Sequence, residues 1–84
     1  MKHFEAEYIV EANETEIAKG VVKGDEPCAV KDKAWECAYG AAKRHAVNGT
    51  IDGLYFQVLI EKDGEYFDSD ELFAEIRGGQ VVLA

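Results

Sequence analysis

Positive charge is scarce in this sequence. Nine Lys and Arg face seventeen Asp and Glu in 84 residues, for a formal net charge of −8. That balance argues against direct grip on duplex nucleic acid, because affinity for phosphate backbones comes from Lys and Arg displacing counterions. Only two cysteines occur, Cys28 and Cys37. Their separation fits no paired-thiol zinc or redox motif and no disulfide-dense scaffold, so both are expected reduced and partly buried. Long apolar runs are missing as well: nothing approaches the roughly 18 residues a membrane span requires. The acidic start, Glu5 and Glu7 around Ala6, breaks the apolar core a signal peptide needs. A cytoplasmic protein with no membrane partner is therefore expected. The sequence also lacks a Gly-rich phosphate loop, and no cofactor is expected.

What is present is enough apolar material for one small core. Hydrophobic residues make up 48% of the chain, with four Phe, four Tyr and one Trp. This is too much for a disordered acidic tail. A chain of this length hides only about 60% of the surface its unfolded form exposes, which disfavours an elaborate buried catalytic cleft. The chain reads as a single compact domain over residues 1–84, with no linker, repeat or low-complexity tract.

Periodicity divides it into elements. From Lys2 to Glu11, Phe4, Ala6, Tyr8 and Val10 alternate with Glu5, Glu7, Ile9 and Glu11, the pattern of a half-buried strand. A polar break at Asn13 to Thr15 precedes a second strand, Ile17 to Lys23, in which Gly20 suggests a bulge. From about Ala29 or Lys33 to Val47 the period becomes helical. Ala34, Ala38, Ala41, Ala42 and His45 share one face, Trp35 and Cys37 flank it, and Lys33, Glu36, Gly40, Lys43 and Arg44 lie opposite. Asp25 or Asp32 serves as N-cap, and Asn48-Gly49 as the stop. Thr50 to Glu61 reads as a central strand, apolar on both faces, and Asp63-Gly64 as a two-residue hairpin turn leading to a return strand at Tyr66-Phe67. Ser69 or Asp68 then caps a short second helix near Asp70 to Arg77, ended by Gly78-Gly79, and Gln80 to Ala84 forms an edge strand. The expected fold is α+β: a mostly antiparallel sheet of four to five strands, one main helix on one face, and a short second helix.

Chemistry-bearing groups are sparse. His45 on the apolar helix face reads as a core-edge histidine rather than a base, and Cys37 lies two helical turns from it, too far for a nucleophile–base pair. Asp63, Glu65, Asp68, Asp70 and Glu71 crowd one stretch, but their spacing fails the EF-hand pattern, so no metal site is expected. The charge distribution is more informative. Residues 1–18 carry five acids and one base, residues 19–47 four acids and six bases, and residues 48–84 eight acids and two bases. If the first and last strands meet, Glu5, Glu7 and Glu11 join Asp63, Glu65, Asp68, Asp70 and Glu71 in one acidic surface. Alternate residues of a strand repeat at about 6.6 to 6.8 Å, comparable to the spacing of successive phosphates, so a nucleic-acid-binding protein would meet this surface as a decoy. Interleaved Tyr and Phe suit a protein partner better than RNA. A competing mode places Lys33, Lys43 and Arg44, with Tyr39 at the helix edge, against an acidic groove.

The layout resembles that of the small phage-encoded inhibitors of bacterial defence, the anti-CRISPR proteins. The features in common are a start at Met1-Lys2, a strand pair, a helix carrying Ala42-Lys43-Arg44-His45-Ala46, and a strand leading into Glu61-Lys62-Asp63-Gly64. They cover roughly residues 1–67. The resemblance implies a non-enzymatic, stoichiometric inhibitor, monomeric or homodimeric, that occupies the guide- or DNA-binding surface of a CRISPR effector in a bacterial host. It carries over no individual functional residue. The alternative expectation is a structural or assembly module that adds Gln80 to Ala84, or the first hairpin, to a neighbour's sheet edge.

Overall fold

A computed structural model describes residues 3–46 and 51–83. Its elements are β1 (Phe4–Ala12), β2 (Thr15–Gly24), α1 (Pro27–Ala46), β3 (Ile51–Lys62), β4 (Glu65–Arg77) and β5 (Gln80–Leu83). The strands form one antiparallel sheet in the order β2-β1-β3-β4-β5, with α1 laid across one face. This is the expected α+β class, with β3 at the centre and β5 at an edge.

Alternation builds the helix-covered face. Phe4, Ala6, Val10 and Ala12 of β1 and Leu54, Phe56, Val58 and Ile60 of β3 are all buried, Tyr8 packs half-buried in the same row, and Glu5, Glu7, Ile9 and Glu11 of β1 with Tyr55, Gln57 and Leu59 of β3 point to the opposite face. The helix meets them with Val30, Ala34, Ala38 and Ala42; the three alanines, four apart in sequence, are fully buried. Methyl-sized side chains along one stripe bring the helix axis close to the sheet, which lets the Phe56 ring of β3 fill the space beside it. Phe56 is completely buried with Tyr39 at 5.1 Å and Trp35 at 6.0 Å between ring centroids. No charged or polar side chain is buried among the described residues.

All three hairpins close through two residues with positive φ: Asn13 (51°) and Glu14 (68°), Asp63 (51°) and Gly64 (86°), Gly78 (59°) and Gly79 (77°). Paired positive φ matches the right-handed twist of the flanking strands, and Asn, Asp and Gly tolerate it best. The Asp63-Gly64 turn stands where the sequence placed it.

Several expectations need correction. No short second helix forms: Asp70 to Arg77 belongs to β4, because Leu72, Ala74 and Ile76 alternate and face α1 while pairing with β3. Gly78-Gly79 is accordingly a hairpin turn rather than a helix stop. The main helix begins at Pro27, not at Ala29 or Lys33. Proline suits the first helical position, where its missing N–H leaves nothing unsatisfied, and the Val30 N–H donates to the Glu26 carbonyl at 3.1 Å. Glu26 therefore holds the capping position, and neither Asp25 nor Asp32 does. Gly20 is not bulged; it pairs in register with Tyr8, whose ring lies over it, and the β1–β2 irregularity sits at Val10/Glu11. His45 is exposed rather than at the core edge, as is Cys28, while Cys37 is half-buried. The expected stop at Asn48-Gly49 lies outside the described residues.

Candidate protein-docking face

The first and last strands do not meet. β1 lies between β2 and β3, and β5 lies beyond β4. The acids of the two halves still share a surface, because β1 pairs with β3 along its whole length and β3 pairs with β4. The sheet face away from α1 presents Glu5, Glu7, Ile9 and Glu11 from β1; across the registers lie Lys23, Val21, Lys19 and Glu16 of β2 and Glu61, Leu59, Gln57 and Tyr55 of β3. β4 adds Tyr66, Ser69, Glu71, Phe73, Glu75 and Arg77. Seven carboxylates (Glu5, Glu7, Glu11, Glu16, Glu61, Glu71, Glu75) therefore face three cations (Lys19, Lys23, Arg77), a local balance of −4. The cations sit toward the margins, two on the outer strand β2 and one at the end of β4.

Register, rather than proximity in sequence, decides which predicted acids take part. Glu5, Glu7, Glu11 and Glu71 are on this face. Asp63 and Glu65 are exposed at the β3–β4 hairpin end. Asp68 and Asp70 point to the helix side, where Lys31 Nζ lies 3.5 Å from Asp68 Oδ2 and 3.3 Å from Asp70 Oδ2. The hydrogen bond that Lys31 donates to Asp70, with both carboxylates' charges, outweighs desolvation and raises the Lys31 pKa. A bulge causes the switch: Ile60 pairs with Asp68 but Glu61 pairs with Tyr66, leaving Phe67 as the extra residue, packed edge-to-face on Phe4 at 5.2 Å.

Two like-charge pairs stand directly across strands, Glu5 opposite Glu61 and Glu11 opposite Glu16. Directly opposed like charges on a sheet are destabilising. Glu5 has partial relief, with Lys23 Nζ at 3.7 Å and His3 Nε2 at 3.4 Å from its Oε1. Between the acids runs an apolar band: Ile9, Leu59, Tyr55 and Phe73, the last 60% exposed, with the Tyr55 and Phe73 rings 5.1 Å apart. The Tyr55 hydroxyl donates to Glu71 Oε2 at 2.8 Å, and this bond, reinforced by desolvation and the charges of Glu71 and Glu11, raises the tyrosine pKa. At the Asn13 end the face dips into a hollow of about 800 Å³ lined by Glu11, Glu14, Tyr55, Phe73 and Glu75 among others. Sequence reasoning missed Glu16, Glu61, Glu75 and Phe73. The signal that would have found the last two is the Leu72, Ala74, Ile76 alternation, which it read as helical.

The competing cationic face is present in part. Lys33, Lys43 and Arg44 are exposed on α1, with Lys33 spending its charge on Glu36 at 3.9 Å. Tyr39, expected on that surface, is half-buried, stacked on Trp35 at 5.7 Å and tilted on Phe56. Among the described residues no group of three or more His, Cys, Asp and Glu is placed to hold a metal ion. No described helix is long and apolar enough to cross a membrane. No family model, curated protein or solved structure matches the chain.

Proposed function

We propose that this protein is a non-enzymatic inhibitor whose uncovered sheet face docks on a cationic, nucleic-acid-binding surface of a bacterial defence complex, as the resemblance to anti-CRISPR proteins implies. One observation carries the reading: a sheet face left bare by the only described helix holds seven carboxylates against three marginal cations around an apolar centre. Residues paired across adjacent strands have Cα atoms about 5 Å apart, and alternate residues of one strand about 6.6 to 6.8 Å, so the acidic side chains form a two-dimensional array that competes with phosphates for Lys and Arg. The apolar band then adds the desolvated contact that a protein interface needs at its middle.

The test is binding to purified CRISPR effectors at low and high salt. Reversing Glu5, Glu7 and Glu11 to Lys together should raise Kd at least tenfold at low salt, with little change from Lys33, Lys43 and Arg44 replaced by Ala. Unchanged affinity in the first variant and loss in the second would transfer the function to the helix. Assembly through β5 is the weaker reading, since its four residues offer an incoming strand few backbone hydrogen bonds.

A further inference from the structure

β5 covers only part of the strand it pairs with. It reaches Ala74 to Arg77 of β4, so the outer side of β4 from Glu65 to Leu72 has no partner strand among the described residues. Eight residues of strand run about 27 Å and direct alternate N–H and C=O groups outward, an uncapped template for another chain. Among the described residues, two of the six exposed large hydrophobic side chains, Tyr66 and Phe67, lie on this stretch, and Phe73, Val82 and Leu83 lie beyond it on β4 and β5.

The charge of the strand selects its occupant. Glu65, Asp68, Asp70 and Glu71 lie within this edge, and Lys31 alone answers two of them. A second copy pairing β4 to β4 would set four carboxylates against four, which like-charge repulsion disfavours. We propose that the outer edge of β4, Glu65 to Leu72, receives an extended strand from a partner protein with Lys or Arg at alternate positions. Main-chain hydrogen bonds to the edge give affinity, and the acids on the two faces of β4 read the partner's basic side chains. Of the seven carboxylates on the sheet face of the proposed function, the edge shares only Glu71, so variants at Glu65 and Asp70 test the edge without touching that face.

The test uses a peptide alternating lysine with valine or threonine, and a control in which proline replaces the valine and threonine residues, keeping charge while forbidding a ladder. With the whole protein at low salt, the first peptide should slow hydrogen exchange of outward-facing amides between Glu65 and Leu72, and the proline control should not. A Glu65→Lys, Asp70→Lys double variant with a native-like amide spectrum should raise the peptide's Kd at least tenfold, whereas Glu5→Lys, Glu7→Lys should change it less than threefold. Equal binding of both peptides, or protection confined to β1 and β3, would overturn the edge site and leave only the acidic face. Concentration-dependent growth of the protein alone that Glu65→Lys, Asp70→Lys abolishes would overturn it too, by assigning the edge to a strand of another copy.

Discussion

Replacing Gly20 by Ala probes the contact that seats Tyr8. A methyl built on Gly20 stands 2.5 Å from Tyr8 Cζ and 2.7 Å from Cε1, and closer still to the hydroxyl oxygen. Carbon atoms in contact prefer about 3.5 to 4.0 Å, so the ring must move by about 1 Å. It cannot do so freely, because Tyr8 packs against both halves of the core, on the same side as Trp35. Overpacking of this kind costs about 1 to 3 kcal/mol. Against it stands the gain of about 0.5 to 1 kcal/mol from removing a strand glycine. The Gly20→Ala protein should thus lose about 1 to 2 kcal/mol, or roughly 4 to 8 °C in Tm for each kcal/mol in a domain of this size. In a Tyr8→Ala background the obstructing atoms are gone, and the same change should stabilise by about 0.5 kcal/mol, a coupling of about 2 kcal/mol. Urea unfolding followed by fluorescence of the single tryptophan measures all four proteins of the cycle. If Gly20→Ala is neutral or stabilising with Tyr8 present, the ring does not rest on the glycine and the reasoning fails.

Three further outcomes follow from the packing and the charges. Phe56→Ala should destabilise by about 3 to 5 kcal/mol, since the fully buried ring joins Tyr39 and Trp35, and an unchanged urea midpoint would contradict that placement. Tyr55 should ionise above the usual tyrosine range, which ultraviolet titration against Tyr55→Phe detects, and Glu71→Gln should bring it back down. A raised tyrosine pKa favours the neutral hydroxyl in the folded state. The stability this bond supplies is therefore complete below the unfolded value of about 10 and fades as pH rises through the higher folded value. Lys31→Met should cost less than about 1 kcal/mol, because its ion pairs with Asp68 and Asp70 are solvent-exposed, and the difference should vanish in 1 M salt; a loss of several kcal/mol would mean that Lys31 anchors α1 to the sheet.

Much of the fold is legible because alternation survives in the sequence. Phe4 to Val10 and Leu54 to Ile60 turn every second residue toward the core, and Asp63-Gly64 marks its turn without help from tertiary structure. The helix is legible through Ala34, Ala38 and Ala42, but its start is obscured, since Cys28 and Ala29 carry no periodic signal and Pro27 resembles a break. Asp70 to Arg77 misleads for a physical reason. Ser69, Asp70 and Glu71 imitate a cap and an acidic first turn, each worth of order 1 kcal/mol, while pairing with the central strand across the length of β4 is worth more in sum. The candidate face is half legible for a sharper reason. Side chains alternate with period two, so the bulge at Phe67 exchanges the faces of everything between it and Arg77. If Phe67 paired regularly with Ile60 instead of bulging, Asp68 and Asp70 would join Glu5 and Glu7 on the bare face, and Glu71 would turn toward the helix.

On the proposed inhibitor reading, the charge pattern of the bare face serves binding rather than folding. A sheet that only needed to remain in solution would alternate signs across its strands, as Glu5 and Lys23 do, since opposed unlike charges support pairing. Here Glu5 also meets Glu61, and Glu11 meets Glu16, at Cα separations of about 4.5 to 5.5 Å, well within the screening length of about 10 Å at 0.1 M salt. The repulsion is thus felt by the free protein and, on the proposed reading, would be relieved when cations of a partner enter. Salt must then act in opposite directions on the two equilibria. Raising it from 0.05 to 1 M should increase the urea midpoint of the free protein by screening Glu5 from Glu61 and Glu11 from Glu16, and should weaken the complex by screening the partner. Glu61→Gln, Glu16→Gln should remove the salt-induced gain in stability while weakening low-salt binding. If salt leaves the midpoint of the parent unchanged, the carboxylates are held farther apart than the registers of β1 imply, and the array that the inhibitor reading requires does not exist.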